Sequence, residues 1–209
     1  MERFLADHGP FVWHVAEAES VPGIRARGLL PANALLPTSR HGAWRAAFVQ
    51  EDGAVLRFQQ MSDARLLPHL RGRFAGRPEA WRAHIDSHVF FWCQSGPRDR
   101  FVAATVRERR AHWRRAGRAG SPPPPAILRF DLADILRAVP GLAYASLINS
   151  GSLVLGKTWR DEATLRPVTE WDRSWRTPGG RRDRQAQELA IRGPLPVGLR
   201  FGMEPIGIA

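Results

Sequence analysis

The chain has 209 residues, 44% of them hydrophobic, enough to bury the core of one compact domain or two small ones and too many for a linker or tail. Its 31 basic against 20 acidic side chains give a net charge of +11, which favours a polyanionic partner. No apolar run approaches the roughly 18 to 20 residues that cross a bilayer, no charged-then-apolar leader opens the chain, and the single cysteine, Cys93, excludes an internal disulfide framework and a multi-cysteine zinc cluster; a soluble, cytoplasmic protein with no membrane partner is expected.

Thirty of the basic residues are arginine, Lys157 is the one lysine, asparagine occurs twice and tyrosine once. That skew is what GC-rich coding produces, so the arginines cannot be read one by one as selected phosphate ligands. Tyr144, Asn149 and Lys157 nevertheless fall within fourteen positions, which marks residues 141–158 as a chemically constrained stretch.

In chain order, Phe11 to Val15 reads as a short strand, and residues 16–28 as a helix with Ser20 as N-cap and Gly28 as its stop. Residues 33–60 are mixed, with Ala54 to Phe58 a candidate strand. Two short helices follow over 62–71 and 78–87, the second with Pro78 where a first-turn proline is tolerated. His88 to Cys93 is a strong strand. From Pro97 the pattern is helical: Phe101, Val102, Thr105, Val106 and Trp113 give an apolar stripe, with Arg107, Arg110, Arg114 and Arg118 opposite, and the helix should end between Gly117 and Gly120.

Ser121 to Pro125 is a stiff polyproline loop. A strand resumes at Ala126 to Asp131, Asp131 caps a short helix through Val139, Leu142 to Ile148 is strand or buried coil, residues 177–184 are a Gly- and Arg-rich loop, and Gln187 to Ile191 is a late strand. Strands and helices alternate without regular βαβ units, so the fold class is α+β, expected as one domain over 1–209.

Gly151 to Thr158 satisfies the phosphate-loop pattern G-x-x-x-x-G-K-[ST]. Against it stand the branched residues Leu153-Val-Leu inside the loop, the lack of an amphipathic helix after Trp159, and too little chain beyond it for an NTPase core. His84 and His88 have helical spacing, but the second opens a strand and no H-E-x-x-H accompanies them, so no metal is expected. A G-x-S-x-G elbow is absent. More informative are His14, which interrupts an apolar strand, and Glu188, a carboxylate in a strand that should be at least half buried. Buried carboxylates are costly unless paired or functional.

His14-Val with Glu17-Ala-Glu, Ile24 and Gly28-Leu-Leu, then Leu56-Arg-Phe-Gln, Val89-Phe-Phe-Trp, Ile148-Asn-Ser-Gly-Ser, Arg160 and Glu188-Leu-Ala-Ile resemble, in that order, the successive blocks of DarT-type ADP-ribosyltransferases and an uncharacterised bacterial family related to them. The resemblance spans residues 11–192. It implies a split, mixed β-sheet core with flanking helices that holds NAD, as substrate, in a central cleft.

On that resemblance Glu188 is the catalytic carboxylate. It would steady the positive charge that develops on the ribose as the nicotinamide bond breaks, and would deprotonate the acceptor if burial raises its pKa. His14 would orient the cofactor and Arg57 would meet the pyrophosphate, with Arg40, Arg45 and Arg160 as substitutes. Phe90 or Phe91 would pack on the nicotinamide; strand alternation lets only one of them line the cleft. Asn149 and Ser150 would be polar contacts.

Ala186 stands two residues before Glu188 where many protein-modifying members carry Glu or Gln, and Gln185 and Gln187 are out of phase. This argues against arginine modification and is compatible with a nucleic-acid target; with the net charge of +11 and a resemblance to enzymes that modify nucleobases, DNA or RNA is the expected acceptor, with Arg107, Arg110, Arg114, Arg118, Arg181 and Arg182 on its phosphates. A toxin or anti-phage role with a neutralising antitoxin follows from the same analogy. The competing readings are a non-catalytic nucleic-acid-binding module on the same fold and, third, a phosphate-loop nucleotide-binding protein.

Overall fold

The computed structural model describes residues 1–59, 61–151, 158–177 and 185–206. Helix α1 (Glu2–His8) precedes strand β1 (Phe11–Ala16), then come α2 (Val21–Arg27), α3 (Ala32–Leu35), the hairpin β2 (Val49–Glu51) and β3 (Ala54–Leu56), α4 (Asp63–Leu66), α5 (Pro78–Asp86), β4 (His88–Trp92) and the long α6 (Ser95–Arg115). The chain continues through β5 (Ala126–Asp131), α7 (Leu132–Ala138), β6 (Ala143–Ser146), β7 (Arg166–Pro167), β8 (Glu188–Arg192) and β9 (Phe201–Glu204). Seven strands form one sheet in the order β7-β6-β8-β4-β1-β5-β9. Every pairing within it is antiparallel, where the expectation was a mixed sheet; β4, β5 and β6 run in the same direction, but none of them is a neighbour of another in the sheet.

Period-two alternation explains which side is core. Val89 and Phe91 of β4 face Ile191 and Leu189 of β8 in register, and with Val12, Leu128 and Phe130 they pack on Leu132, Ile135 and Leu136 of α7, Phe4 of α1 and Trp171. The opposite face carries Phe90, Trp92 and Glu188. A second apolar cluster of Met61, Leu66, Leu70, Phe74 and Trp81 builds a separate layer around α4 and α5.

Several boundaries differ from the sequence expectation for local reasons. Helix α2 starts only after Ser20, whose side chain makes no cap; Ser20 Oγ instead accepts from Val55 N at 2.9 Å and ties β3 to the helix start. Gly28 does end α2, with φ 82°, and a Cβ there would lie 2.2 Å from the Leu195 carbonyl oxygen. The expected helix over 62–71 is one turn of α-helix and then a 3₁₀ turn at Leu67–His69, because Pro68 has no N–H to continue the ladder. Helix α6 starts two residues before Pro97 and stops at Arg115. Asp131 caps α7 as expected, accepting from Asp134 N at 3.0 Å.

Among the described residues no helix is long and apolar enough to cross a membrane.

Candidate active site

The sheet is opened at one place. Strand β1 pairs with β5 along six residue pairs, from Phe11↔Asp131 to Ala16↔Ala126, but meets β4 at Trp13↔Trp92 alone. Beyond that point β1 and β4 diverge, and His14 fills the start of the gap: its Nδ1 lies 2.9 Å from the Phe90 carbonyl oxygen. A carbonyl only accepts, so Nδ1 carries the proton and Nε2 is left as an acceptor. Burial holds the imidazole pKa below its ordinary value, against the hydrogen bond it donates to the Phe90 carbonyl, and the ring is neutral.

A cleft of about 350 Å³ opens at this divergence, within the size range of small-molecule sites. His14, Arg57, Phe90, Trp92, Asn149, Ser150 and Glu188 all line it. These residues come from β1, the segment after β3, β4, the turn after β6, and β8, so residues 174 positions apart in sequence meet across β4. The far wall is apolar, with Ile24, Leu29, Leu30, Leu35, Val55 and Leu56.

Glu188 is buried, 5% exposed. One carboxylate oxygen, Oε2, accepts from both Ser150 N at 2.9 Å and Ser150 Oγ at 2.8 Å. Burial raises the carboxyl from 4.5 to about 7, against the two Ser150 bonds and the positive charge of Arg160, which pull it down. Cys93 follows β4 beside it, and burial, helped by the charge of Glu188, pushes its thiol well above the ordinary range. A carboxylate whose pKa sits near neutrality inside a cleft can change protonation state at working pH, which is what a general base requires.

The other expected residues divide. Phe90 is half-buried and lines the cleft, whereas Phe91 is 1% exposed and faces the core, its ring 5.4 Å from that of Phe130; alternation along β4 sends the two rings to opposite faces. Arg57 lines the cleft but is engaged: it donates to Thr105 Oγ1 at 2.6 Å and Glu108 Oε2 at 2.9 Å, and its guanidinium lies 4.7 Å from the centre of the Phe101 ring. Burial lowers its pKa, and Glu108 offsets part of that. Arg40 pairs with Glu51, and Arg160 is wholly buried behind the cleft.

Arg107, Arg110, Arg114 and Arg118 are exposed on and just beyond α6. The opposite face points inward through Val102, Thr105 and Arg109, and Arg109 pairs with Glu17 and Glu19 and fastens the helix beside β1. Arg118 also stacks over Trp113 at 4.8 Å. Arg181, Arg182 and the inner residues 152–157 of the phosphate-loop pattern lie outside the described residues. His84 and His88 do meet, with ring centres 5.0 Å apart, but no cluster of three metal-ligating side chains occurs among the described residues.

Two features of the site escaped the sequence reading. Arg45 and Asp86 form a buried bidentate pair on the cleft wall at 2.7 and 2.8 Å, and Arg82 beside them bonds Gly42 O and Asp63. Pairs made across forty-one positions leave no periodic trace. The β2–β3 hairpin was not expected either, only a candidate strand over 54–58; the signal that could have found it is the two-residue turn Asp52-Gly53, both of whose residues have positive φ. Residues 10–201 match the profile of a family of unknown function, DUF7002. No curated protein matches the chain.

Proposed function

We propose that the chain, which belongs to that family of unknown function, is an NAD-consuming mono-ADP-ribosyltransferase on an ADP-ribosyltransferase-like fold, with DNA or RNA as acceptor. The observation that carries this reading is Glu188: a buried carboxylate in a cleft, fixed by Ser150 and raised to about 7. Support also comes from the placement of His14, Phe90 and Glu188 on three neighbouring strands around the divergence of β1 and β4.

In this reading NAD enters the cleft as substrate. Ionised Glu188 accepts from the ribose hydroxyl beside the reacting carbon and stabilises the positive charge that grows there as the nicotinamide bond breaks. The same carboxylate takes the proton of the attacking acceptor group. His14 Nε2 accepts from a ribose hydroxyl, Phe90 offers the nicotinamide a ring face, and Asn149 is a polar contact at the same end. Arg57, held by Glu108 and Phe101, contributes positive potential towards the pyrophosphate. The exposed arginines of α6 and the net charge of +11 supply attraction for a nucleic-acid acceptor. A toxin or anti-phage role with an antitoxin partner follows from this activity by analogy.

Those exposed arginines would serve equally in a binding module without turnover, which is the second reading. The deciding experiment incubates purified protein with labelled NAD and, separately, single-stranded DNA, duplex DNA, RNA and a protein extract, beside Glu188→Ala. Label on nucleic acid with the parent alone is expected. Salt-dependent nucleic-acid binding without NAD binding or transfer would replace this reading with the second.

A further inference from the structure

Arg160 stands out as a group that the proposed chemistry leaves unused. It is 0% exposed, and burial pulls its pKa down to about 10, with Glu188 opposing that fall. Taking a guanidinium out of water is expensive unless its donors are met. Here they meet three main-chain carbonyls: Nη2 donates to Asn149 O at 3.1 Å, Nε to Ser150 O at 3.3 Å and Nη1 to Thr158 O at 2.8 Å. Arginine's fork reaches all three at once, which a lysine ammonium on a flexible stem cannot do.

The backbone of the same residue is held from another direction. Arg160 N donates to His69 O at 2.7 Å, and Arg71 N donates to Arg160 O at 2.9 Å, a parallel bridge opposite Leu70. Leu70 belongs to the second apolar cluster. The layer around α4 and α5 is thereby joined through this residue to the turn that carries Ser150, and Ser150 presents both its N–H and its hydroxyl to Glu188 Oε2.

We propose that Arg160 is a positioning residue for Glu188: by gathering the carbonyls of Asn149, Ser150 and Thr158 it holds the turn in the shape that lets Ser150 bind the carboxylate twice. The catalytic meaning of this rests on the preceding reading of Glu188, but the coupling itself is a property of the unliganded protein and is tested there. The groups that act on the Glu188 carboxylate are Ser150, Arg160 and, at the end of β4, Cys93.

The test is a titration of the Glu188 side-chain carboxyl by NMR on protein labelled with ¹³C-glutamate, without NAD, the signal being assigned by its loss in Glu188→Gln. Four proteins are compared: the parent, Ser150→Ala, Arg160→Lys and the double variant, each checked for folding by circular dichroism. Arg160→Lys keeps the positive charge, so a direct charge effect leaves the titration near that of the parent. Loss of the clamp instead raises the midpoint, as Ser150→Ala does; since Ser150→Ala keeps the main-chain N–H and removes only Oγ, the double variant titrates above Ser150→Ala by less than Arg160→Lys raises the parent.

A parent-like titration in Arg160→Lys, or shifts that simply add in the double variant, would overturn the proposal. If Arg160→Lys does not fold, Arg160→Gln takes its place, and the comparison with and without Ser150→Ala decides in the same way. Should the labelled-NAD experiment fail while the shifts prove non-additive, the function is wrong and the clamp stands.

Discussion

Replacing Glu188 by glutamine should make the protein more stable, and only where the native carboxylate would be ionised. In the folded state the carboxyl is raised from 4.5 to about 7, so its stabilising contribution is complete below its unfolded value and is lost as pH rises through 7. At about 1.36 kcal/mol per pKa unit, the ionised side chain costs roughly 3 kcal/mol at pH 8. Glutamine imitates the protonated acid: it has the same shape, and its carbonyl oxygen can still accept from Ser150 N and Oγ.

Urea denaturation of parent and Glu188→Gln at half-unit steps should therefore give curves less than about 1 kcal/mol apart at pH 5 that separate by a further ~2.5 kcal/mol by pH 8. The denaturant slopes should not change. A difference independent of pH would mean that Glu188 ionises as an ordinary carboxyl, and the reasoning that makes it the reacting group would fail with it. Stability given up at one buried charge is the usual cost of a prepared site.

The other predictions concern the cofactor end, the scaffold and the acceptor surface. His14→Ala removes the acceptor Nε2 and the bond to Phe90 O, and should weaken NAD binding by about tenfold or more, consistent with ~1–2 kcal/mol for a buried hydrogen-bonding group; equilibrium dialysis with labelled NAD checks it. Gly28→Ala places a side chain at φ 82° and 2.2 Å from Leu195 O, so thermal denaturation should show a loss of about 2 kcal/mol or more, whereas Gly141→Ala, with φ 76° and open space around it, should lose about 1 kcal/mol. Arg110→Ala with Arg114→Ala should weaken binding to single strands and duplexes alike and lower the log–log salt slope by about 1.5; an unchanged slope would remove α6 from the interface.

What the sequence revealed follows from the range of the interactions concerned. Strands β1, β4, β5 and β8, helix α7 and the end of α2 were legible because their signals are local: alternation, a capping aspartate, a stopping glycine. His14 and Glu188 were visible as polar residues interrupting apolar strands, and the structure brings them to one cleft. Phe90 and Phe91 could not be ranked without knowing which face of β4 is core. Arg57 looked available in sequence and proves to be paired with Glu108, fifty-one positions away. Arg160 entered as a candidate ligand of phosphate and lies instead behind the cleft, because nothing in Trp159-Arg-Asp says that its neighbours would be carbonyls. The edge strand β9 had no strong alternation to announce it; Gly202 and Met203 are exposed at an edge that, among the described residues, pairs with β5.

The central claim is that Glu188, once ionised, promotes transfer from NAD, and its most direct test is the rate of label transfer from NAD to single-stranded DNA or RNA as a function of pH, for the parent and Glu188→Gln. The account predicts a parental rate that rises tenfold per pH unit below 7 and levels above it, with transfer by Glu188→Gln reduced by at least a hundredfold, about 3 kcal/mol of barrier. A glutamine variant that transfers label like the parent at pH 8 would contradict it.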